Sequence, residues 1–215
     1  MLTIAEANLR TAGLRGNVAS RTAPRTVGAS FTPNTADEAL LEAIAQGDRC
    51  AMEVLYARHH VRVYRFILRI TGNATLAEDI VSEVFLDVWR QAAGFKAKSQ
   101  VSTWLLAIAR YKSLSAVRRR SDGHLDDDQA AAVEDPADNA EVLIHNKERS
   151  VIVRKCLAQL SAAQREVVDL VYYHEKSVEE VARIVGAPAS TVKTRMFYAR
   201  QRMAELLRAA GCEGA

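Results

Sequence analysis

The chain has 215 residues, of which 49% are hydrophobic and 26% charged, and its formal net charge is +3. This length and apolar content suffice for one large or two small domains with real cores. No apolar run approaches the roughly 20 residues that cross a bilayer, and the 10 Gly and 4 Pro are too few for the turns of an all-β protein. We therefore predict an all-α protein without membrane insertion.

Residues 1–35 are rich in Gly, Pro, Ser, Thr and Asn, and they carry four arginines against a single acidic residue, Glu6. Such a composition buries little apolar surface, so a disordered N-terminal tail is predicted. The first residues also lack the hydrophobic stretch of a signal peptide. We expect a cytoplasmic protein.

Cysteine and histidine residues give no indication of a metal site. Cys50, Cys156 and Cys212 are far apart and form no CxxC pair, so we expect two buried thiols and one, Cys212, at a frayed terminus. The adjacent His59 and His60 point to different sides of a helix. The sequence also has no nucleophile elbow, phosphate-binding loop or HExxH motif, and neither a cofactor nor an enzymatic activity is predicted.

Residues 36–120 repeat apolar side chains at three- and four-residue spacing, which predicts four helices packed on one another. Asp48 and Thr75 are the expected N-caps. The breaks between helices are predicted at Gly47-Asp48, at Thr71-Gly72-Asn73 and around Gly94-Phe95-Lys96.

Residues 121–140 form the next region, and all of its Asp, Glu, Lys and Arg positions are acidic. Gly123 and Pro136 interrupt any helical pattern there. The composition predicts a flexible acidic linker between two domains.

Residues 141–210 return to helical patterning, with helices predicted at 142–160, 163–173, 178–185 and 190–207. Capping boxes are predicted at Ser161 with Gln164 and at Ser177 with Glu180. The second domain is thus four helices with short connections.

The last two predicted helices have the spacing of a helix-turn-helix. Ala182 permits close approach of the helices, Gly186 suits a left-handed turn, and Val192 anchors the second helix on the first. Either Ser190 or Thr191 is expected to cap that second helix. Its open face carries Lys193, Thr194, Arg195, Tyr198 and Arg202.

A basic helix of this kind fits the major groove of DNA, where Lys and Arg reach guanine edges and phosphates. An ordinary solvated helix of a bundle is the alternative. The helix-turn-helix spacing and the paired capping boxes favour DNA binding.

The predicted helix at 101–120 forms a second basic region. Arginines in its last turn are also expected from the helix dipole. Aromatic and cationic side chains together, however, favour single-stranded DNA through stacking and charge neutralisation. The side chains concerned are Phe95, Lys96, Lys98, Trp104, Arg110, Tyr111, Lys112, Arg118, Arg119 and Arg120.

The predicted helix at 76–90 carries acidic residues on one side, while its apolar residues cover too wide an arc for one buried stripe. Part of this surface is therefore expected to contact a partner protein.

Three stretches in this order resemble the small two-domain bacterial sigma factors of the extracytoplasmic-function (ECF) group. They are LAEDIVSEVFLDVWR at 76–90, VSTWLLAIARYKSLSAVRRR at 101–120, and LSAAQREVVDLVYYHEKSVEEVARIVGAPASTVKTRMFYARQRMAELL at 160–207. The resemblance runs from about residue 37 to residue 207 and omits the N-terminal tail.

This resemblance implies an alternative sigma factor, a subunit that binds core RNA polymerase and directs transcription initiation at specific promoters. Residues 36–120 then correspond to sigma region 2, which binds core polymerase and the −10 element, and residues 141–210 to region 4, which binds the −35 element. An anti-sigma factor is implied that holds the two domains together and hides both DNA faces.

The resemblance assigns residues to each contact. Core-polymerase binding falls on Asp79, Ile80, Glu83, Phe85 and Trp89, and −10 binding on the aromatic and basic residues of the second basic region. The −35 contacts fall on Ser190, Thr191, Lys193, Thr194, Arg195, Phe197, Tyr198 and Arg200. Tyr111 departs from the small polar residue, often Asn, of many relatives, which leaves the −10 base preference open.

In the family the linker threads through the RNA exit path of the polymerase, where a polyanion can mimic RNA. A solvated spacer is the alternative for the acidic linker of this chain.

Two other functions remain as alternatives. The 162–202 portion also resembles the DNA-binding domain of LuxR-type regulators, which suggests a stand-alone transcriptional regulator but leaves the first domain unexplained. A sigma-like decoy that binds an anti-sigma factor has little use for Arg118-Arg119-Arg120 or for the basic helix face.

Overall fold

The computed structural model describes residues 31–32, 34–123 and 145–211 of the chain. Its first segment, residues 37–123, contains four α-helices whose breaks lie where the sequence predicts them. They are α1 Asp37–Ala45, α2 Arg49–Thr71, α3 Ala74–Gln91 and α4 Val101–Gly123, with a 3-10 turn at Ala92–Gly94 after α3. The helix predicted to end at residue 120 continues to Gly123, so the first residues of the predicted linker are helical.

One predicted N-cap of this segment is confirmed and the other is wrong. Asp48 accepts a hydrogen bond from the Ala51 backbone N–H at 3.1 Å. At the start of α3, however, Asn73 is the cap and accepts from the Leu76 N–H at 2.8 Å. Gly72 ends α2 in a left-handed conformation, φ 64°, and the chain turns straight into Asn73, which leaves Thr75 inside the first turn.

The second segment, residues 145–211, also contains four α-helices. They are α5 His145–Ala158, α6 Ala162–Val168, α7 Val178–Val185 and α8 Ala189–Ala209, and a π-helical turn at Asp169–Tyr173 continues α6. Both predicted capping boxes, at Ser161 and at Ser177, are confirmed. The prediction that Ser190 or Thr191 caps α8 is wrong, because Pro188 is the N-cap, without a side-chain bond, and the helix begins at Ala189.

The described residues contain no β-strand, and the all-α prediction is confirmed. One continuous cluster of buried apolar side chains includes members of both segments. In the first segment Leu55, Phe66 and Leu105 are at most 1% exposed, and in the second Leu170 and Val181 are fully buried. The residues from Phe31 onward form one compact unit.

The two described cysteines differ in exposure. Cys156 is buried, as expected, but Cys50 is exposed, which overturns the prediction of a second buried thiol. It lies in the first turn of α2, where the neighbouring Ala51 is the side chain that enters the core. Cys212, nearly all of the predicted N-terminal tail and the linker from residue 124 on lie outside the described residues. None of the described helices has the length and apolar character needed to span a membrane.

Candidate functional site

The helix-turn-helix of α7 and α8 is held by apolar contacts on one face of each helix. Val181 of α7 and Val192 and Ala199 of α8 are fully buried. Gly186 between the helices has φ 66°, the left-handed conformation that the sequence predicts for this turn. The opposite face of α8 is therefore directed outward.

The predicted −35 residues lie on that outward face. Phe197 is 64% and Tyr198 55% exposed, and their rings meet edge to face at 5.4 Å. Arg200 donates through Nε to the Tyr172 hydroxyl at 3.0 Å. Among the other predicted −35 residues, Ser190, Lys193 and Thr194 are exposed, and Thr191 and Arg195 are half-buried.

The loop at 95–100 and the start of α4 form the second predicted DNA-binding region. The rings of Phe95 and Trp104 pack at a centroid distance of 5.1 Å, and Lys96 and Lys98 are exposed. Ala97 between these lysines has φ 51°, a conformation that costs energy for a residue with a Cβ. This backbone conformation therefore requires support from the rest of the loop.

The basic residues of α4 are not equally accessible. Tyr111 is 74% exposed, and the three arginines at 118–120 are exposed as well. Arg110, in contrast, makes two hydrogen bonds to the carboxylate of Glu166 on α6, from Nε at 2.7 Å and from Nη2 at 3.3 Å. Arg110, which is predicted to bind the −10 element, is therefore already bound by a carboxylate of the second segment.

Lys112 is also paired, within the first segment. Its ammonium lies 2.8 Å from Asp87 and 3.2 Å from Glu83, both on α3. Burial acts to lower the pKa of Lys112, but the hydrogen bonds that its ammonium donates to these two carboxylates, with their negative charges, outweigh burial and raise the pKa above the ordinary value.

The predicted polymerase-binding residues of α3 divide between surface and core. Asp79 and Glu83 are exposed and Trp89 is half-buried. Ile80 and Phe85 are only 3% and 4% exposed, so in this structure they pack in the core and contribute no accessible surface. The residues that do reach the surface are the acidic ones and Trp89.

Beside α3 lies an open groove of about 690 Å³ between α2 and α3. The groove includes exposed apolar and aromatic positions such as Tyr56 and Val61. Its lining is Tyr56, His60, Val61, Tyr64, Arg65, Glu78, Val81 and Ser82. Leu86, 47% exposed, is a further apolar surface position on α3 that the sequence analysis did not single out.

The beginning of α7 contacts the first segment at the loop and the start of α4. Lys176, 8% exposed, donates to the Gln100 side chain at 3.2 Å and to the Ser102 hydroxyl at 2.6 Å. The Thr103 hydroxyl donates to Glu180 at 2.6 Å. The capping-box residue of α7 thus also binds α4.

The pKa of Glu180 reflects this double role. Burial raises the pKa, but the hydrogen bonds from Thr103 and Ser177, with the charge of Lys176, outweigh burial and bring the pKa to about 2. The carboxylate is therefore ionised at neutral pH, as an acceptor of these bonds requires.

A second contact between the segments joins α2 to the π-helical turn. Arg69 binds the buried carboxylate of Asp169, and Arg65 donates to the Tyr173 hydroxyl. The Arg69 guanidinium also lies 4.9 Å from the centre of the Tyr173 ring. None of these residues carries a sequence signal for the contact, because its members are about 100 positions apart in the chain.

His174 lies inside this contact and is 4% exposed, with its ring edge to face against Phe66 at 5.4 Å. Burial lowers the pKa of His174 to about 3, helped by the positive charges of Arg69, Arg62 and Lys176. Asp169 lies 3.5 Å from Nε2 and acts in the opposite direction. Because Arg69 already binds the Asp169 carboxylate, burial and the cations prevail and His174 is neutral.

Comparisons with known proteins match both segments separately. The family described as Sigma-70 region 2 matches residues 55–122, and the family described as Sigma-70, region 4 matches residues 150–203.

Curated relatives match most of the chain. An ECF RNA polymerase sigma factor, SigK of Mycobacterium bovis, is 33% identical over 163 residues, which cover 74% of this chain and 87% of the relative. SigK of Mycolicibacterium vanbaalenii is 32% identical over 164 residues, covering 74% of this chain and 83% of the relative.

Two solved structures share the fold. The sigma factor RpoE in complex with the anti-sigma factor NepR, from Bartonella quintana, has a TM-score of 0.56 at 26% identity, covering 71% of this chain and 94% of that one. CnrH in complex with the cytosolic domain of CnrY has a TM-score of 0.59 at 23% identity, covering 80% of this chain and 97% of that one.

Proposed function

The chain belongs to the extracytoplasmic-function group of RNA polymerase sigma factors, and we propose that its two segments divide promoter recognition between them. The observation that carries the proposal is the order of the two matched regions, each of which coincides with a segment that presents an exposed basic and aromatic face. In this function the chain binds core polymerase and directs initiation at specific promoters. Sigma factors are in general not enzymes, and the proposal assigns this chain no catalytic step.

The outward face of α8 is the proposed −35 reader. Lys193 and Arg195 lie in the first two turns of α8, where side chains of a recognition helix reach base edges and phosphates. Phe197 and Tyr198 add apolar area for sugars and thymine methyl groups. The exposure of this face supports the assignment, since no refolding is needed before DNA binds.

The loop at 95–100 with α4 is the proposed −10 reader. Single-stranded DNA binds to aromatic side chains with basic groups beside them. Tyr111, at 74% exposure, is available to stack on an extruded base. The arginines at 118–120 extend the positive surface along the path of the melted strand.

The exposed acidic side of α3, together with the groove between α2 and α3, is the proposed polymerase-binding surface. Asp79 and Glu83 supply negative charge and Trp89 supplies a partly exposed aromatic ring. Interfaces commonly combine an aromatic anchor with a polar rim. Ile80 and Phe85 contribute by holding the shape of the helix from beneath.

An anti-sigma factor is the proposed regulator. A protein with the same fold and 26% identity, RpoE of Bartonella quintana, was solved in complex with the anti-sigma factor NepR. Such a partner would act in the cytoplasm, where we place this chain. The acidic linker, residues 121–140, is proposed to run along the RNA exit path of the polymerase.

Gel filtration of the chain mixed with bacterial core polymerase tests this function. We expect co-elution of the two, and promoter DNA from upstream of the chain's own gene should bind the mixture more tightly than either protein alone. Salt-sensitive binding of the chain alone to duplex DNA, without co-elution, would indicate a stand-alone regulator. Failure of both, with capture of an anti-sigma factor encoded beside the gene, would indicate a decoy.

A further inference from the structure

An exposed tyrosine outside the proposed DNA-reading helix contacts an arginine on that helix. Tyr172 lies in the π-helical turn Asp169–Tyr173 and is 60% exposed. Its hydroxyl accepts a hydrogen bond from Nε of Arg200 on α8 at 3.0 Å, and the central carbon of the Arg200 guanidinium lies 5.9 Å from the centre of the Tyr172 ring. The contact joins the turn to the outward face of α8.

The π-helical turn gives Tyr172 a fixed base. Leu170 is fully buried and His174 is 4% exposed, so the chain is anchored in the core on both sides of Tyr172. The adjacent Tyr173 is directed elsewhere and accepts a hydrogen bond from Arg65 on α2. Single π-helical turns are often found at functional sites. Of the two tyrosines, Tyr172 is the one that reaches α8.

Arg200 lies where a recognition helix approaches the edge of the groove. Lys193, Phe197 and Arg200 follow one another at spacings of four and three residues, which places them in one row along α8. At a rise of about 1.5 Å per residue, Arg200 is roughly 10 Å along the helix from Lys193. The major groove is about 12 Å wide. When the first turns of α8 contact base edges, Arg200 is therefore close to the sugar–phosphate backbone.

Tyr172 holds Arg200 without neutralising it. The hydroxyl takes the N–H on Nε and leaves the N–H groups of the terminal nitrogens for another acceptor. Because the hydroxyl is uncharged, the positive charge of Arg200 is retained. Arg202 is instead paired with the carboxylate of Glu205 at 3.1 Å. Arg200 thus combines a fixed orientation with an attraction for anions.

We propose that Tyr172 is a positioning residue of the −35 reader, which orients the Arg200 guanidinium so that its terminal nitrogens bind a phosphate of the DNA backbone. The inference rests on the proposed function for the identity of the ligand. A long side chain that is held before binding loses less entropy when DNA arrives. Phosphate contacts fix the register of a protein on the duplex and carry no sequence information themselves. Tyr172 therefore contributes to affinity and register, while the first two turns of α8 select the bases.

Two substitutions that keep the charge of the chain test this role. Tyr172→Phe removes the hydroxyl and keeps the ring, whereas Arg200→Lys keeps the positive charge but removes the Nε–H and the planar guanidinium. Binding of promoter DNA is measured with the complex of the full chain and core polymerase. We expect each variant to bind about three- to tenfold more weakly, by the same factor for every −35 sequence tested. Arg208→Lys, at an exposed arginine in the last turn of α8, is the matched control and should bind as the unsubstituted chain does.

Salt dependence separates a lost phosphate contact from a general loosening of the fold. Each phosphate contact contributes about 0.9 to the slope of log affinity against log salt concentration. Tyr172→Phe changes no charge, yet it should reduce the magnitude of that slope by about 0.5–0.9, because Arg200 no longer displaces a counterion. An affinity loss with an unchanged slope would contradict the proposed phosphate contact.

A double substitution tests whether the tyrosine acts through the arginine. If it does, Tyr172→Phe combined with Arg200→Lys should bind no more weakly than Arg200→Lys alone. Losses that multiply would show that the two residues act independently and would overturn the proposal. Equal affinity of the Tyr172→Phe and unsubstituted chains would overturn it as well. Circular dichroism is recorded for every variant, and if Tyr172→Phe loses helix, Tyr172→Leu takes its place with the same expected results.

A measurement on the free chain distinguishes failure of this inference from failure of the proposed function. In heteronuclear NMR spectra, the Nε–H of Arg200 should exchange with water more slowly than that of Arg208, and Tyr172→Phe should abolish the difference. No difference in the unsubstituted chain would contradict the pairing of Tyr172 with Arg200. If the pairing is present but the complex with polymerase binds no promoter DNA, the proposed function fails and the pair has no role in DNA binding.

Discussion

The ammonium of Lys112 on α4 lies 2.8 Å from the carboxylate of Asp87 on α3. This ion pair joins the proposed DNA-binding helix to the proposed polymerase-binding helix. Lys112, which is predicted to bind DNA, is thus already paired with carboxylates of its own segment. In the folded protein the Lys112 side chain thus links α4 to α3.

Replacing Lys112 by Met should lower the free energy of unfolding by about 0.5–1 kcal/mol, since the pair is partly exposed. The loss should shrink at high salt, which screens exposed charges. Urea denaturation at low and high salt measures both effects. The exposed Arg118, replaced by Met, is the control and should change stability less. Equal losses for the two variants would argue that the ion pair contributes nothing.

Acid should destabilise the folded chain through His174. The pKa of His174 is about 3 in the folded protein against an ordinary value of 6.5, so between these values the unfolded state binds a proton that the folded state does not. Protonation of His174 therefore leaves the free energy of unfolding unchanged above pH 6.5. As the pH falls from 6.5 toward 3, it lowers that free energy by at most about 1.4 kcal/mol per pH unit.

His174→Phe keeps an aromatic ring against Phe66 and should flatten this dependence, measured as the free energy of unfolding at a series of pH values. His60→Phe, at a ring stacked on Tyr56 in the α2–α3 groove, is the matched control. An unchanged slope in His174→Phe would show that other groups set the acid sensitivity.

Removal of the N-cap side chain of α7 should destabilise the protein, whereas removal of a side chain in the first turn of α8 should have little effect. Ser177→Ala removes the hydroxyl that accepts from the Glu180 N–H and should cost about 1 kcal/mol of stability. Ser190→Ala should cost under about 0.5 kcal/mol, because the side chain of Ser190 does not cap α8. Thermal denaturation of both variants checks the difference, and a larger loss for Ser190→Ala would reverse the cap assignment.

Replacing Lys193 and Arg195 by Ala should weaken −35 recognition by about 1–3 kcal/mol for each bidentate hydrogen-bonded pair with a base that the substitution removes. Binding to core polymerase should stay intact. Promoter binding by the complex, compared between −35 sequence variants, measures the loss. Arg208→Ala, an exposed basic position in the last turn of α8, is the control. A uniform loss across all DNA sequences would reduce both residues to phosphate contacts.

Asp79→Arg and Trp89→Ala should each weaken polymerase binding, the first through charge reversal and the second through removal of an aromatic anchor. Competition with a labelled sigma factor for core polymerase measures the change. Glu42→Arg on α1 reverses an exposed charge outside the proposed surface and should have little effect. If these variants instead lost DNA binding alone, the surface would be wrongly assigned.

Local signals in the sequence predict most helix ends and the two caps on α6 and α7. Gly72 and Gly186 mark turns because each adopts a positive φ, and the capping boxes at Ser161 and Ser177 depend only on residues three positions apart. The predicted start of α8 is wrong because Pro188 is itself compatible with the N-cap and begins the helix earlier. The residues around Pro188 are compatible with a start of α8 at either Ala189 or Ser190.

Burial and long-range contact cannot be predicted in the same way. The family resemblance assigns Ile80 and Phe85 to polymerase binding, but both are buried. Apolar residues cover a wide arc of α3, and periodicity alone does not decide which part of that arc faces the core. Arg110 and Glu166 are 56 positions apart, and each is an ordinary charged residue of an amphipathic helix. Only the folded chain brings them together.

Run-off transcription with bacterial core polymerase distinguishes a sigma factor from the alternative functions. The template is DNA from upstream of the chain's own gene, and reactions are compared with and without the protein. We expect a defined transcript that depends on this chain and disappears when Lys193 and Arg195 are both replaced by Ala. No chain-dependent transcript, from a preparation that binds the duplex by itself, would contradict the assignment of promoter-directed initiation.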